Sequence, residues 1–268
     1  MEIVILFILG VLAGIVAGLF GLGGGILFTP ILFVMFSNAG LQDIVVLTIA
    51  SSLFCSFVAT TGSSLRQYRQ NNFYLHEGLK VGVLGAIGVS VGRLVITSPF
   101  YSKQVFTIFF SLLLIYVAFM FYKRGKNKDQ TTMDKRPVTW PQASVTGGLG
   151  GFVAALAGIG GGGVMVPLMN LLFKKQFAKA VSISSLAIIL ITLSGWIQLG
   201  LSGEGIQTLT PWHWGYVDFG AAAPLAVGGL LGGFAGAYFN LKTNRRHLQY
   251  AFAILALGMA TKMLIEAF

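Results

Sequence analysis

Charged side chains are scarce in this sequence. Only 10% of the 268 residues are Asp, Glu, Lys or Arg, whereas a soluble domain carries about 25%. So few charges cannot cover a water-facing surface, which argues against a soluble globular protein. We therefore expect most of the protein surface to face a lipid bilayer.

Cysteine and histidine are scarce as well. Cys55 is the sole cysteine, which excludes an intrachain disulfide and a thiolate metal cluster. The three histidines stand far apart, at His76, His213 and His247, so no cluster suits acid–base catalysis or metal binding. We expect no enzyme activity, no catalytic residue, no metal and no cofactor.

Apolar residues dominate instead. They make up 55% of the chain, and the mean hydropathy is +0.81. Long apolar runs occupy residues 3–20, 44–60, 104–122, 180–201, 215–239 and 248–265. Each approaches or exceeds the ~18 residues that indicate a transmembrane helix, so the predicted fold class is an all-α polytopic membrane protein.

The chain contains an internal duplication. "GLFGLGGGILFTP" (18–30) aligns without gaps on "ALAGIGGGGVMVP" (155–167), and "SSL" at 51–53 has a counterpart at 184–186. A polar segment separates the copies. We predict a first transmembrane repeat at 1–122, a basic linker at 123–139 and a second repeat at 140–268.

The positions of Lys and Arg predict the topology. Most of the 18 basic residues fall in 66–80, 123–136, 174–179 and 240–246, whereas the other connections hold Lys103 alone. Because basic loops prefer the cytoplasm, each repeat makes three crossings, and the second repeat is inverted. Both termini are then extracytoplasmic. The net charge of +10 is a topology signal, and we expect no nucleic-acid partner.

Segments 3–36 and 141–173 are not among these three crossings per repeat, so each must begin and end on the same side of the membrane. We predict that each is a hairpin broken at its glycine motif. The piece after each break has about 10 residues, or ~15 Å of helix, which is half the ~30 Å hydrocarbon thickness. Two half-helices would then meet near the membrane midplane, as in transporters built from inverted repeats.

Such a meeting point favours a small anion with several acceptor oxygens. A helix N-terminus offers unpaired N–H groups and about half a positive charge, and glycine lets a ligand approach them. Paired serines lie in the first turns of the following helices and add hydroxyl donors. The predicted substrate-binding residues are Gly23, Gly24, Gly25, Ser51, Ser52, Gly160, Gly161, Gly162, Ser184 and Ser185.

Two structural readings of these residues stay open. Small residues also allow transmembrane helices to pack closely. Serine hydroxyls inside helices often bond to a main-chain carbonyl rather than to a ligand.

The acidic residues bear on the mechanism. None of the eight acids falls in the middle of a predicted span, and Asp218 is the only candidate proton relay. Ion-coupled uptake normally requires a membrane carboxylate, whereas an inside-negative potential drives anions outward by ~2.3 kcal/mol per charge per 100 mV. We therefore favour efflux, with Arg93 as a candidate guard of the exit. A channel-like pathway, cation transport, and a membrane enzyme or accessory subunit remain alternatives.

The duplicated glycine motifs, the "SSL" stretches and "LRQYRQNNFY" (65–74) together resemble the TauE/SafE sulfite exporter family, also called the toluene-sulfonate uptake permeases. The resemblance covers essentially the whole chain. It places the family's motif on Gly21, Gly23, Gly24, Gly25, Gly158, Gly160, Gly161 and Gly162, with Pro30 and Pro167 as gating candidates. Gln67 stands where family members often have a histidine, which makes it a coupling candidate.

The resemblance implies a multi-pass transporter of the bacterial or archaeal inner membrane. Its substrate would be sulfite, a sulfonate such as sulfoacetate, or a related sulfur anion. Members differ in the direction of transport, so sulfonate uptake and proton coupling stay open. The predicted partners are the small anion and the lipid bilayer, and a homodimer is a candidate assembly.

Overall fold

The computed structural model describes residues 2–126, 136–203, 205–240 and 245–267, and these are almost entirely helical. The first half contains α1 (Glu2–Phe20), α2 (Gly25–Asn38), α3 (Ile44–Arg69), α4 (Leu75–Ile96) and α5 (Lys103–Lys126). The second contains α6 (Trp140–Ala157), α7 (Gly162–Pro167), a π-helical turn (Leu168–Leu172), α8 (Phe177–Gly200), α9 (Phe219–Asn240) and α10 (Arg245–Ala267). Residues 127–135 of the predicted linker and 241–244 of a predicted basic loop lie outside the described residues.

Six of the described helices are long and apolar enough to cross a membrane. These helices are α1, α3, α4, α5, α8 and α9. Large apolar side chains on their outer faces, including Leu94 and Phe119, are exposed, as expected for contact with lipid. The prediction of an all-α polytopic membrane protein is therefore confirmed. The apolar run at 248–265, within α10, is not among these six helices, so its crossing of the membrane stays a prediction.

The segment before α9 differs from the prediction, because 215–218 is not helical. His213–Trp214 pairs antiparallel with Val217–Asp218, as β1 and β2, around Gly215 at φ 50°. The amide N–H groups of Phe219 and Gly220 donate to the Trp212 carbonyl. This hairpin therefore caps α9, which begins at Phe219 rather than near 215.

Helices of one half pack mainly against helices of the other half. α1 lies along α9, and α6 lies along α4 in the same way. α3 contacts α9 and α8, α8 contacts α4, and α5 contacts α10. These main contacts are retained when equivalent helices of the two halves are exchanged, and the two halves interlock.

Glycines make these close helix contacts. A Cβ atom added to Gly151 of α6 would lie 1.9 Å from the Gly85 carbonyl oxygen of α4, and one added to Gly14 of α1 would lie 2.3 Å from the Gly229 carbonyl oxygen of α9. Backbones this close leave no space for a side chain. Most glycines of α4 and α9 therefore serve helix packing, which is the structural reading for that part of the pattern.

Candidate functional site

The two glycine breaks contact each other inside the helical bundle. The first break lies between α1 and α2, and the second lies between α6 and α7. A Cβ atom added to Gly25 would lie 2.3 Å from the Ile159 Cα, and one added to Gly162 would lie 2.3 Å from the Gly21 carbonyl oxygen. The start of each short helix is thus pressed against the opposite break. We call this contact region, residues 21–25 and 158–162, the glycine crossing.

Both breaks adopt the same backbone conformation. Gly21, Gly23 and Gly24 have φ angles of 67°, 82° and 75°, and Gly158, Gly160 and Gly161 have φ angles of 70°, 71° and 79°. These are left-handed values that side chains other than glycine rarely adopt. The duplicated motif therefore encodes a duplicated backbone shape, in addition to the close contact.

The predicted glycines divide between these two roles. Gly23, Gly24, Gly160 and Gly161 hold the left-handed turns, whereas Gly25 and Gly162 begin α2 and α7 and provide the close approach. Main-chain N–H groups in the first turn of a helix have no acceptor within that helix. Two sets of such donors therefore lie at the crossing.

One serine of each half binds the break of the other half. The Ser52 hydroxyl on α3 donates to the Gly158 carbonyl at 2.9 Å. The Ser184 hydroxyl on α8 donates to the Gly21 carbonyl at 3.0 Å and also to the Val181 carbonyl of its own helix. These carbonyls lie where α1 and α6 end, so the hydroxyls cap acceptors that a helix end leaves unsatisfied.

The other two predicted serines also join the halves. Ser51 accepts a hydrogen bond from the Asp218 main-chain N–H at 3.0 Å, and Ser185 accepts one from the Gln67 side-chain amide at 3.1 Å. Asp218 and Gln67, the two candidates for proton coupling, thus each form a hydrogen bond with a predicted site serine. All four serines lie in the third turn of α3 or α8, deeper than the first turns expected from the sequence, because these helices begin at Ile44 and Phe177.

Asp218 is fully buried but well satisfied. Its carboxylate accepts hydrogen bonds from the Thr210 N–H at 3.0 Å, the Thr210 hydroxyl at 2.5 Å and the Ala221 N–H at 3.0 Å. It therefore caps the start of α9 and holds the preceding loop in place. The link between Asp218 and the predicted site serines is its main-chain N–H, which donates to Ser51, rather than its carboxylate.

The remaining gating candidates are Arg93, Pro30 and Pro167. Arg93, in the last turn of α4, donates to the Ser202 hydroxyl at 2.5 Å. Pro30 lies inside α2, which continues to Asn38. Pro167 ends α7, and the chain then widens into the π-helical turn. A proline removes one helical N–H donor, so each short helix is weakened one to two turns after its start.

Thr29, on α2, lies beside the crossing, and the sequence analysis missed it. Its hydroxyl lies 2.8 Å from the Ser52 hydroxyl and donates to the Ala157 carbonyl at 3.1 Å. Valine occupies the aligned position in the second copy, at residue 166. A polar residue within the otherwise apolar end of the motif was the available signal.

A buried ion pair between α4 and α8 was also missed. Glu77 and the Lys179 ammonium lie 2.8 Å apart, and Glu77 also accepts the Val138 N–H at 2.6 Å. Lys175 and Lys179 both donate to the Arg136 carbonyl at 3.1 Å. The sequence analysis assigned both lysines to a basic loop, but Lys175 is 1% and Lys179 6% exposed. This cluster joins the start of α4 to the start of α8 and to the segment before α6.

A cavity of about 430 Å³ opens beside the loop between α4 and α5. Its lining includes Thr97, Ser98, Ser102, Asp43 and Lys103. The Lys103 ammonium donates to the Ser37 hydroxyl at 2.9 Å. Hydroxyl groups and one ammonium can solvate an anion at this end of the bundle, although Asp43 opposes it.

Comparisons with known proteins extend over almost the whole chain. The family model described as Sulfite exporter TauE/SafE matches residues 6–263. A probable membrane transporter protein of Methanocaldococcus jannaschii is 28% identical over 97% of this chain and 95% of its own length. Probable membrane transporter proteins of Bacillus subtilis and Haemophilus influenzae are 28% and 26% identical, and each alignment covers at least 98% of both chains. The similarity therefore includes both glycine motifs and all the helices between them.

Proposed function

Because the chain belongs to the TauE/SafE sulfite exporter family, we propose that this membrane transporter exports small sulfur oxyanions, such as sulfite or the organosulfonate sulfoacetate. The observation that carries the proposal is the glycine crossing, where the starts of two short helices meet inside the bundle. The membrane is the bacterial or archaeal inner membrane, with the basic loops on the cytoplasmic side and both termini outside.

The crossing suits an anion for electrostatic reasons. The N-termini of α2 and α7 place positive ends of helix dipoles near one another, and the glycines Gly23–Gly25 and Gly160–Gly162 leave their main-chain N–H groups without side-chain cover. Sulfite and sulfonates offer three oxygens that accept such hydrogen bonds. Neutral main-chain donors also hold an anion less tightly than a buried lysine would, which favours release.

Transport requires the two breaks to separate. In this conformation Gly25 contacts Ile159, and Gly162 contacts Gly21 and Leu22, too closely for a ligand to lie between them. A rocking motion of one inverted repeat against the other would open the crossing to one side at a time. Ser52, Ser184 and the Gln67–Ser185 contact span the moving boundary and would exchange partners during each cycle.

The acidic residues support efflux. Among the described residues, Asp218 is the carboxylate linked to a site serine, and its oxygens are occupied by the α9 cap. An uncoupled anion pathway needs no titrating carboxylate, because the membrane potential alone supplies ~2.3 kcal/mol per charge per 100 mV.

Flux measurements in proteoliposomes test the proposal. Vesicles loaded with sulfite are given an inside-negative potential, and efflux is measured with and without sulfate or a two-carbon sulfonate as competitor. We expect potential-driven sulfite efflux that needs no pH gradient and that the sulfonate inhibits. Flux that requires a proton gradient would instead indicate a proton-coupled permease, and flux above carrier rates without counterflow would indicate a channel. Absence of any sulfur-anion flux would refute the proposed substrate class.

A further inference from the structure

One face of α3 is polar along its whole second half. Ser56, Thr60, Ser64 and Gln67 follow one another at spacings of four, four and three residues, and they are 0%, 0%, 6% and 4% exposed. At about 100° of rotation per residue, the four side chains lie within a sector of about 80°. We call these four residues the α3 polar face.

Three polar atoms on this face have no partner. The Ser56 hydroxyl, the Ser64 hydroxyl and the Gln67 carbonyl oxygen form no hydrogen bond with any residue that the structure describes. Thr60, in contrast, bonds to the Ser56 and Phe57 carbonyls. Buried polar atoms are nearly always paired, since leaving them unpaired is costly. The Ser56 and Ser64 hydroxyls can donate to an anion, whereas the Gln67 carbonyl oxygen only accepts hydrogen bonds and suits a water molecule. The two unpaired hydroxyls on one face indicate a partner that enters from outside the protein.

The α3 polar face connects the two parts of the candidate site. One turn before it lies Ser52, which binds the Gly158 break, and at its far end Gln67 donates to Ser185. Ser185 is adjacent to Ser184, which binds the Gly21 break. The face therefore runs from the glycine crossing to the end of α3 that carries Arg66 and Arg69.

The side of α3 that lies about 100° away from this face packs against α9. The Cys55 thiol is buried and donates to the Ala222 carbonyl of α9 at 3.4 Å. Ala59 is fully buried against Gly229 and Gly233 of the same helix. The environment therefore changes between two sequence neighbours, since Cys55 bonds to α9 whereas the Ser56 hydroxyl has no partner among the described residues.

We propose that Ser56, Ser64 and Gln67 line the passage by which the anion moves between the glycine crossing and the basic end of α3, with the Gln67–Ser185 hydrogen bond as its constriction. The inference rests on the proposed function, since it assigns the route to the same site. Hydroxyl and amide groups replace part of the hydration of a sulfur oxyanion without binding it as a full charge would.

Cysteine labelling tests the passage without measuring transport. In a Cys55→Ala background, S56C and S64C are treated with a methanethiosulfonate reagent that carries a sulfonate group, in inside-out and right-side-out vesicles. If the passage exists, both variants should be labelled at least 10-fold faster than two controls. The controls are Cys55 in the wild-type protein and A59C in the Cys55→Ala background. Labelling as slow as that of Cys55 and A59C would overturn it. The replacement of serine by cysteine is nearly isosteric, and gel filtration monitors folding.

A transport measurement distinguishes a passage along the α3 polar face from a purely structural role of these residues. S56A removes an unpaired buried hydroxyl, so the melting temperature should stay constant or rise. We expect at least a 10-fold loss of sulfite flux nonetheless, whereas T61A, which removes an exposed hydroxyl on the same helix, should keep wild-type flux. Unchanged flux in S56A would reject the passage. If the wild-type protein moves no sulfur anion at all, the proposed function fails, and the labelling rates still decide whether this face is a passage.

Discussion

Gly25 and Gly162 are glycines for a different reason than their neighbours. Gly24 and Gly161 have left-handed φ angles of 75° and 79°, a conformation that costs other residues about 1 kcal/mol or more. Gly25 and Gly162 have ordinary helical φ angles but leave no room for a Cβ atom. A run of glycines in the sequence thus combines two separate physical requirements, one for dihedral angles and one for space.

The replacement of Gly25 by alanine should therefore be damaging. The new Cβ atom would lie 2.3 Å from the Ile159 Cα, and main-chain atoms cannot move away as the end of a side chain can. We expect a loss of about 1–3 kcal/mol of stability and at least a 10-fold loss of sulfite flux. The measurements are thermal unfolding in detergent and flux in proteoliposomes.

Gly163→Ala is the matched control for this prediction. Its Cβ atom would find the Val117 side chain at 3.1 Å, and its φ angle is not left-handed. It should keep nearly wild-type stability and flux. Wild-type stability and flux in both alanine variants would show that the close contact of the breaks is not needed.

At the scale of elements, the two short helices are not equivalent. α2 runs through Pro30 for 14 residues, whereas α7 has six residues and continues as a five-residue π-helical turn after Pro167. Within this turn, the Asn170 side-chain amide donates to the Lys175 carbonyl at 2.8 Å. π-Helical turns often mark functional positions, and this one connects the crossing to the segment that carries the buried lysines.

The ion pair between α4 and α8 provides a test at the same scale. Glu77→Gln would replace the carboxylate beside the buried Lys179 ammonium with a neutral amide, and removal of one charge of a buried pair typically costs about 3–5 kcal/mol. We expect a lowered melting temperature in this variant. The double variant Glu77→Gln/Lys179→Met should recover part of the loss, because it also removes the buried charge. A single variant as stable as the wild type would show that the pair contributes nothing to the packing of α4 on α8.

At the scale of the whole molecule, the helices of the two halves pack together as a single bundle. α1 packs on α9, and α4 packs on α6, so each half completes its helix contacts with helices of the other. The same exchange occurs at the crossing, where Ser52 and Ser184 bind the opposite breaks. A relative movement of the repeats would change both sets of contacts together.

Cleavage of the linker tests this interlocking. A protease site inserted between Asp129 and Gln130 would cut the chain between the repeats. We expect the two fragments to co-elute in mild detergent and to separate only in a denaturing detergent, because the interface includes most of the helix packing. Fragments that part in mild detergent would contradict the interlocked arrangement. The uncut insertion variant serves as the control for folding.

The predictions from sequence were strongest where the physics is local. Apolar length and charge placement predicted membrane helices such as α5 and α8 to within a few residues, because the cost of burying charge in lipid acts on each segment separately. The failures occurred where local and tertiary preferences compete. Lys179 belongs to a basic segment by composition but is buried beside Glu77, and 215–218 are apolar enough for a helix but form the cap of α9.

The sequence by itself determined the membrane class, the duplication and the positions of both helix breaks, since hydropathy and the left-handed preference of glycine are properties of short segments. Only the tertiary structure decided that Gly25 meets Ile159, that Ser52 caps the opposite break and that Gln67 reaches Ser185. Such pairings depend on how all the helices pack at once, across more than 100 residues of chain in each case. No local preference encodes them.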